Sequence, residues 1–256
     1  MGMSALDSSN IHSSGLKISK TSICIEKTVW LIFFSLFIAC CSYIFFNLFQ
    51  VYSPDLEQDV PNPFYIQSSF FIFGFLGFFI YLFAIYQKKK LGEICAIGFS
   101  FCQGVILGGL SCYTWSIFPS MLFQSLLTTT AFLICTWHIY QKGFIPNNII
   151  SKDFIEFLVF SICLFYMITF FACYFYDFEL EMFYGNTKSG LAFSLLVSII
   201  ACLETIVCLD EISLYEKKGL PENYEWFLAL ELISGVFWIY VEIIILLFKW
   251  NIRLKA

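Results

Sequence analysis

Seven stretches of this chain, each about twenty residues long and nearly free of charge, decide what it can fold into. They run from Thr28 to Val51, Phe64 to Gln87, Ile94 to Phe118, Met121 to Gln141, Phe157 to Tyr176, Ser189 to Leu209 and Trp226 to Phe248, the last two holding isolated acids. A hydrocarbon core of about 30 Å is crossed by roughly 20 apolar residues in a helix. Inside it every backbone polar group needs an internal partner, which a helix supplies. The expected fold is therefore an all-α membrane protein with seven transmembrane helices. Composition agrees: 59% of the 256 residues are hydrophobic, 13% are charged, and the 33 Phe exceed what a soluble core of this size needs. The first stretch has 27 residues ahead of it and no small-residue cleavage site, so it reads as a span and not a removable signal peptide. The Ser-rich leader, residues 1–27, is expected to be a flexible cytoplasmic tail. Residues 28–250 form the helical domain and 251–256 a short C-terminal tail.

Lys and Arg are retained on the cytoplasmic side. With the N-terminus inside, inner segments hold ten of the fourteen: Lys17, Lys20, Lys27, Lys88, Lys89, Lys90, Lys142, Lys152, Lys217 and Lys218. Outer loops carry the acids Asp55, Glu57, Asp59, Asp177, Glu179 and Glu181. Lys249, Arg253 and Lys255 dissent. Either seven full spans leave them outside, or the last segment re-enters; Trp226 to Phe248 is long enough to cross, which favours seven spans. The eleven Cys have no zinc or redox spacing and read as small packing residues. His138, beside Trp137 and Tyr140, reads as an interfacial anchor. The net charge of -5 argues against nucleic acid. No phosphate loop, nucleophile motif or paired catalytic acids appear, so an enzyme is not expected.

An ionisable group inside a span is a functional hypothesis by default. Glu93 and Glu156 fall near membrane boundaries and read as interfacial. Glu231 and Glu242 are eleven residues apart, close to three turns, which places both on one face of the last helix about 16 Å apart. Ser234 and Gly235 lie near that line and would let another helix approach closely. The turn between spans six and seven brings Glu231 to the side of Asp210, read as standing at the C-terminal end of span six. Two such carboxyls share a proton near neutral pH and titrate as a pair. Deprotonated, they repel each other or attract a hard cation such as Ca2+. The alternative is that Asp210 faces water and Glu231 is a neutral, hydrogen-bonded core acid. Glu204, on one face with Cys208 and Glu211, either lines the same interior or is a protonated acid bonded to a nearby hydroxyl. Between these helices, Lys217, Lys218, Glu222 and Glu225 read as a solvated loop, with Gly219 and Pro221 turning the chain.

The order Asp210, Gly219-x-Pro221, Glu225-Trp226-Phe227 and Trp238-x-Tyr240-x-Glu242 resembles the end of the Bax inhibitor-1/YccA family, specifically a bacterial branch. Gly104-x-x-Leu107-Gly108, Phe118-Pro119 with Gln124 following, and Tyr140-x-x-Gly143-x-Ile145 agree with it. The likeness covers roughly residues 64 to 250. It implies a seven-helix bundle with the last helix central, and a pH-sensitive calcium leak governed by acids on the last two helices. Calcium enters as the permeant ion, with no cofactor. Asp210 matches the first of those acids. The second falls at Ser234 or Gly235, and Glu231, one turn earlier, is the substitute. Gln103 stands where the family commonly has an acid, with Glu204 and Glu242 as further groups along a cation path. The competing expectation is a non-conducting membrane protein that modulates a membrane protease or stress-response complex. Its surroundings would be lipid, and its location a bacterial inner membrane.

Overall fold

The computed structural model describes residues 5–53, 58–86, 92–142, 152–176, 187–218 and 223–255. Seven helices follow in order, with one hairpin: α1 (Ala5–Leu48), β1 (Gln50–Ser53), β2 (Gln58–Pro61), α2 (Pro63–Tyr86), α3 (Gly92–Ile117), α4 (Pro119–Gln141), α5 (Lys152–Tyr176), α6 (Lys188–Lys218) and α7 (Asn223–Lys255). Among the described residues six helices are long and apolar enough to cross a membrane; α5 has 25 residues and an apolar stretch over Phe154–Thr169. The chain is a multi-pass membrane helical bundle. Lys88 to Lys90, Asp55, Glu57, Asp177, Glu179, Glu181, Gly219, Pro221 and Glu222 lie outside the described residues.

Three boundaries differ from the sequence reading. The leader expected to be a loose tail is helical from Ala5 and continuous with the first span. Once a turn exists, each added residue gains a hydrogen bond at little cost, and no proline interrupts Ala5 to Thr28. Likewise α6 continues past Leu209 to Lys218, because the intervening residues contain no Gly or Pro. Lys217 and Lys218 thus belong to a helix and not to a loop. Third, the segment after α1 pairs antiparallel, Val51 opposite Val60 and Tyr52 opposite Asp59. By contrast α4 starts where Pro119 allows: Phe118 leaves helical geometry at φ -140°, and a proline in the first turn lacks only an N–H that would go unbonded anyway.

The chain divides into two compact units, Met1–Ser116 with Cys208–Ile233, and Ile117–Val207 with Ser234–Ala256. In the first, α1 meets α3 at two glycines. A Cβ at Gly104 would lie 2.6 Å from the Ser35 carbonyl oxygen, and one at Gly108 would lie 2.6 Å from that of Ala39. Phe46, Ile66, Val105 and Cys112 form the adjoining core. A cleft of about 670 Å3 lined by Phe79, Ile80, Phe83, Ile94 and Gly98 is apolar throughout, which suits acyl chains and not ions. In the second unit Ile162, Val197 and Ile200 pack with Trp238, while Ala201, Ile239 and Ile243 pack with Phe132 and Leu133.

Most spans turn large apolar side chains outward, such as Trp30, Phe33, Phe123 and Phe160. α7 does not: from Tyr224 to Lys249 no residue is exposed. That sets α7 apart from helices that turn an apolar face outward. It is also unbroken over 33 residues, about 50 Å, which leaves no re-entrant turn. Tags placed at the two ends of the chain in sealed proteoliposomes are therefore expected to show opposite protease accessibility. Equal accessibility would restore the re-entrant reading.

Candidate functional site

Helical hydroxyls in this chain mostly bond back to their own backbone. Thr28 donates to the Cys24 carbonyl at 2.9 Å, Ser198 to Ser194 at 2.8 Å and Thr205 to Ala201 at 2.9 Å. That satisfies a polar atom where lipid and apolar side chains offer no partner. Groups that escape this rule are the informative ones.

In the first unit α6 and α7 run antiparallel. The Cys208 thiol reaches the Leu228 carbonyl at 3.9 Å, and the Tyr215 and Tyr224 rings stack with centroids 6.1 Å apart. That register brings Asp210 and Glu231 to within about one and a half turns of the same level on adjoining helices. Both side chains are half-buried. Asp210 is not at a helix end: eight more residues of α6 follow, and its carbonyl accepts the Ser213 hydroxyl at 2.8 Å. The expected contribution of a helix C-terminus to its electrostatics therefore falls away, since that field fades within the last turn. Gln103 is in the same unit, buried, and neither atom of its amide has a hydrogen-bond partner; the Ser100 hydroxyl, one turn earlier, has none either.

The second unit holds the other two predicted acids. Glu204 is half-buried on α6, with Glu156 of α5 within electrostatic reach. Glu242 is 1% exposed. Its Oε1 accepts the Tyr166 hydroxyl at 2.7 Å and the Trp238 indole N–H at 3.1 Å, while Oε2 has no partner. The close approach read from Ser234 and Gly235 is present: a Cβ at Gly235 would lie 2.8 Å from the Thr205 hydroxyl. A side chain there would first have to turn the Thr205 hydroxyl away from the Ala201 carbonyl it bonds.

Two features went unread in the sequence. Glu225, taken as a loop residue, is buried at the start of α7 and accepts a 2.7 Å ion pair from Lys27 of α1, whose ammonium also lies 4.8 Å from the Trp226 ring. Glu225-Trp226 was legible as a motif, but its partner stands almost two hundred residues away. Lys249, taken as a marker of the C-terminal tail, is 4% exposed and donates to Ser194 Oγ at 2.9 Å and the Gly190 carbonyl at 3.2 Å. Its seven-residue spacing from Glu242 on an apolar helix was the available signal. Among the described residues no three of His, Cys, Asp and Glu are grouped to hold a metal. Ca2+ takes six to eight oxygens when resident, more than the two carboxyls of Asp210 and Glu231 supply.

A model of the Bax inhibitor 1 like family matches residues 8–251, so the match includes α1, which the motifs alone had left out. No curated protein and no solved structure matches the chain.

Proposed function

Because the chain belongs to the Bax inhibitor 1 like family, we propose that it is a pH-sensitive cation leak, permeable to Ca2+ and switched by Asp210 and Glu231. The observation that carries this reading is the placement of both acids on adjoining antiparallel helices of one unit, each half-buried. When the two share a proton, one hydrogen bond ties α6 to α7. When that proton leaves, two like charges at short range either part the helices or draw a cation between them. Gln103, in the same unit, offers a neutral oxygen to a passing ion. On this reading the membrane is a bacterial inner membrane, as the resemblance suggests, with the N-terminus in the cytoplasm, which the distribution of most lysines favours.

The test is Ca2+ entry into liposomes holding the purified protein, scanned from about pH 6 to 8 to bracket neutral pH, with wild type beside Asp210→Asn and Glu231→Gln. Wild-type flux is expected to change across this range and each amide variant to lose that dependence, with basal flux altered severalfold. Flux that is identical in all three proteins at every pH would remove Asp210 and Glu231 as the switch.

A second reading is favoured by Gly235. The place where the resemblance puts the family's second acid is occupied by close packing on Thr205, as in a member that modulates a membrane protease or stress-response complex without conducting. Its contact element would be the leading part of α1. Deleting residues 1–25 would then abolish co-purification with the partner while the span domain stays folded; retained binding would count against it.

A further inference from the structure

The second unit contains a polar centre that does not involve Asp210 or Glu231, and three helices build it. From α7 come Glu242 and Lys249, seven residues apart, hence on one face and about 10 Å apart along the axis. A helical lysine leans toward the N-terminus of its helix, so the Lys249 ammonium is carried toward Glu242. From α5 come Tyr166 and, one turn on, Thr169. From α6 come Ser194 and the Gly190 carbonyl. Tyr166 and Trp238 both donate to Glu242 Oε1, an arrangement that suits a carboxylate acceptor. Glu242 Oε2 and Thr169 Oγ1 have no partner, though both residues are 1% exposed. Buried oxygens left this way are uncommon and costly. The Phe165 and Phe193 rings meet at 5.6 Å, a register of α5 on α6 that sets Thr169 near the level of Gly190.

Carboxylate, hydroxyl and peptide carbonyl are the oxygens that replace the water around a small hard cation. The cation the structure places on two of them is the ammonium of Lys249. We infer that this centre is a monovalent-cation site whose occupant is the protein's own: Lys249 acts as a tethered cation, seated on Ser194 and Gly190, balancing an ionised Glu242 and closing the site to free ions. A single carboxylate matches one positive charge, so the class of ion is alkali or small alkylammonium and not divalent. The inference does not depend on the chain conducting anything.

Removing the tether should open the site. Lys249→Ala is expected to melt below wild type in choline chloride, whose cation is too large to enter. In sodium, potassium or methylammonium chloride of equal ionic strength it should regain about 5 °C or more, saturably, as a bound ligand requires. Wild type should melt alike in all four salts. Lys249→Ala/Glu242→Gln, having lost both charges, should melt near wild type and prefer no cation. The inference is overturned if Lys249→Ala responds equally to choline and to the small cations, or if the double variant melts below both single ones. Should Lys249→Ala not be recovered folded, the double variant decides: folded recovery supports the tethered cation, and its loss refutes it.

Discussion

Leucine at Gly108 is expected to leave no folded protein to purify. The reason is what faces that glycine: a Cβ there would meet Ser42 Cβ at 2.5 Å, the Ala39 carbonyl at 2.6 Å and the Tyr43 backbone nitrogen at 2.9 Å. Gly104, one turn away on the same face, is pressed as hard, by the Ser35 carbonyl at 2.6 Å and Ile38 Cβ at 2.7 Å. Backbone cannot rotate aside as a side chain can, so any Cβ here parts α1 from α3. Where lipid removes the hydrophobic drive between helices, such close van der Waals packing is what associates them. Overpacking a core by a few carbons costs about 1–3 kcal/mol when side chains can yield. Against backbone, leucine should exceed that and consume most of a typical margin of about 5–15 kcal/mol. The control is Gly74→Leu, since nothing lies within 4 Å of a Cβ at that position. Monodisperse yield from size-exclusion chromatography is the readout, and Gly108→Leu matching Gly74→Leu would disprove the contact.

Lys27→Met should be the most damaging single change to charge in the first unit. Glu225 is only 5% exposed while Lys27 is 20% exposed, so the lysine can recover water when its partner goes and the glutamate cannot. A buried carboxylate stripped of its counter-ion costs about 3 kcal/mol or more, and the cation over the Trp226 ring is lost with it. Glu225→Gln should cost less, because a neutral amide stays bonded where the carboxylate was. The double variant should lie nearer to wild type than Lys27→Met does. A thermal-shift cycle over the four proteins checks this; additive single effects would mean that the pair is not coupled.

The sequence carried the helices well and the pairings poorly. Apolar length alone located a helix at each of the seven places, because lipid leaves few other solutions, and Gly235 was legible as a place of close approach. Helix ends were less so: the charges from Glu211 to Lys218 mark where hydrocarbon stops, but a helix does not stop there. The hairpin of β1 and β2 has no alternation strong enough to announce it. Among the acids, position along a helix was readable by counting, which is how Glu231 and Glu242 fell on one face. What each acid touches was not, since Tyr166 and Lys27 are brought to Glu242 and Glu225 by tertiary structure over 76 and 198 residues. Gln103 was noticed for the charge it lacks, while its unbonded amide became visible only with its surroundings.

The covering of α7 bears on how the protein is made. A charge costs about 2.5–3.5 kcal/mol at the middle of a helix entering lipid alone, where Glu242 stands, and less toward the ends, where Glu231 and Lys249 stand. Summed over one segment, that opposes spontaneous partitioning from the translocon during synthesis. A helix with no exposed residue from Tyr224 to Lys249 can meet its polar needs from protein. Its entry can wait until α5 and α6 have emerged and offer Tyr166, Ser194 and Gly190 as ready partners, so that α7 is inserted into protein and not into membrane.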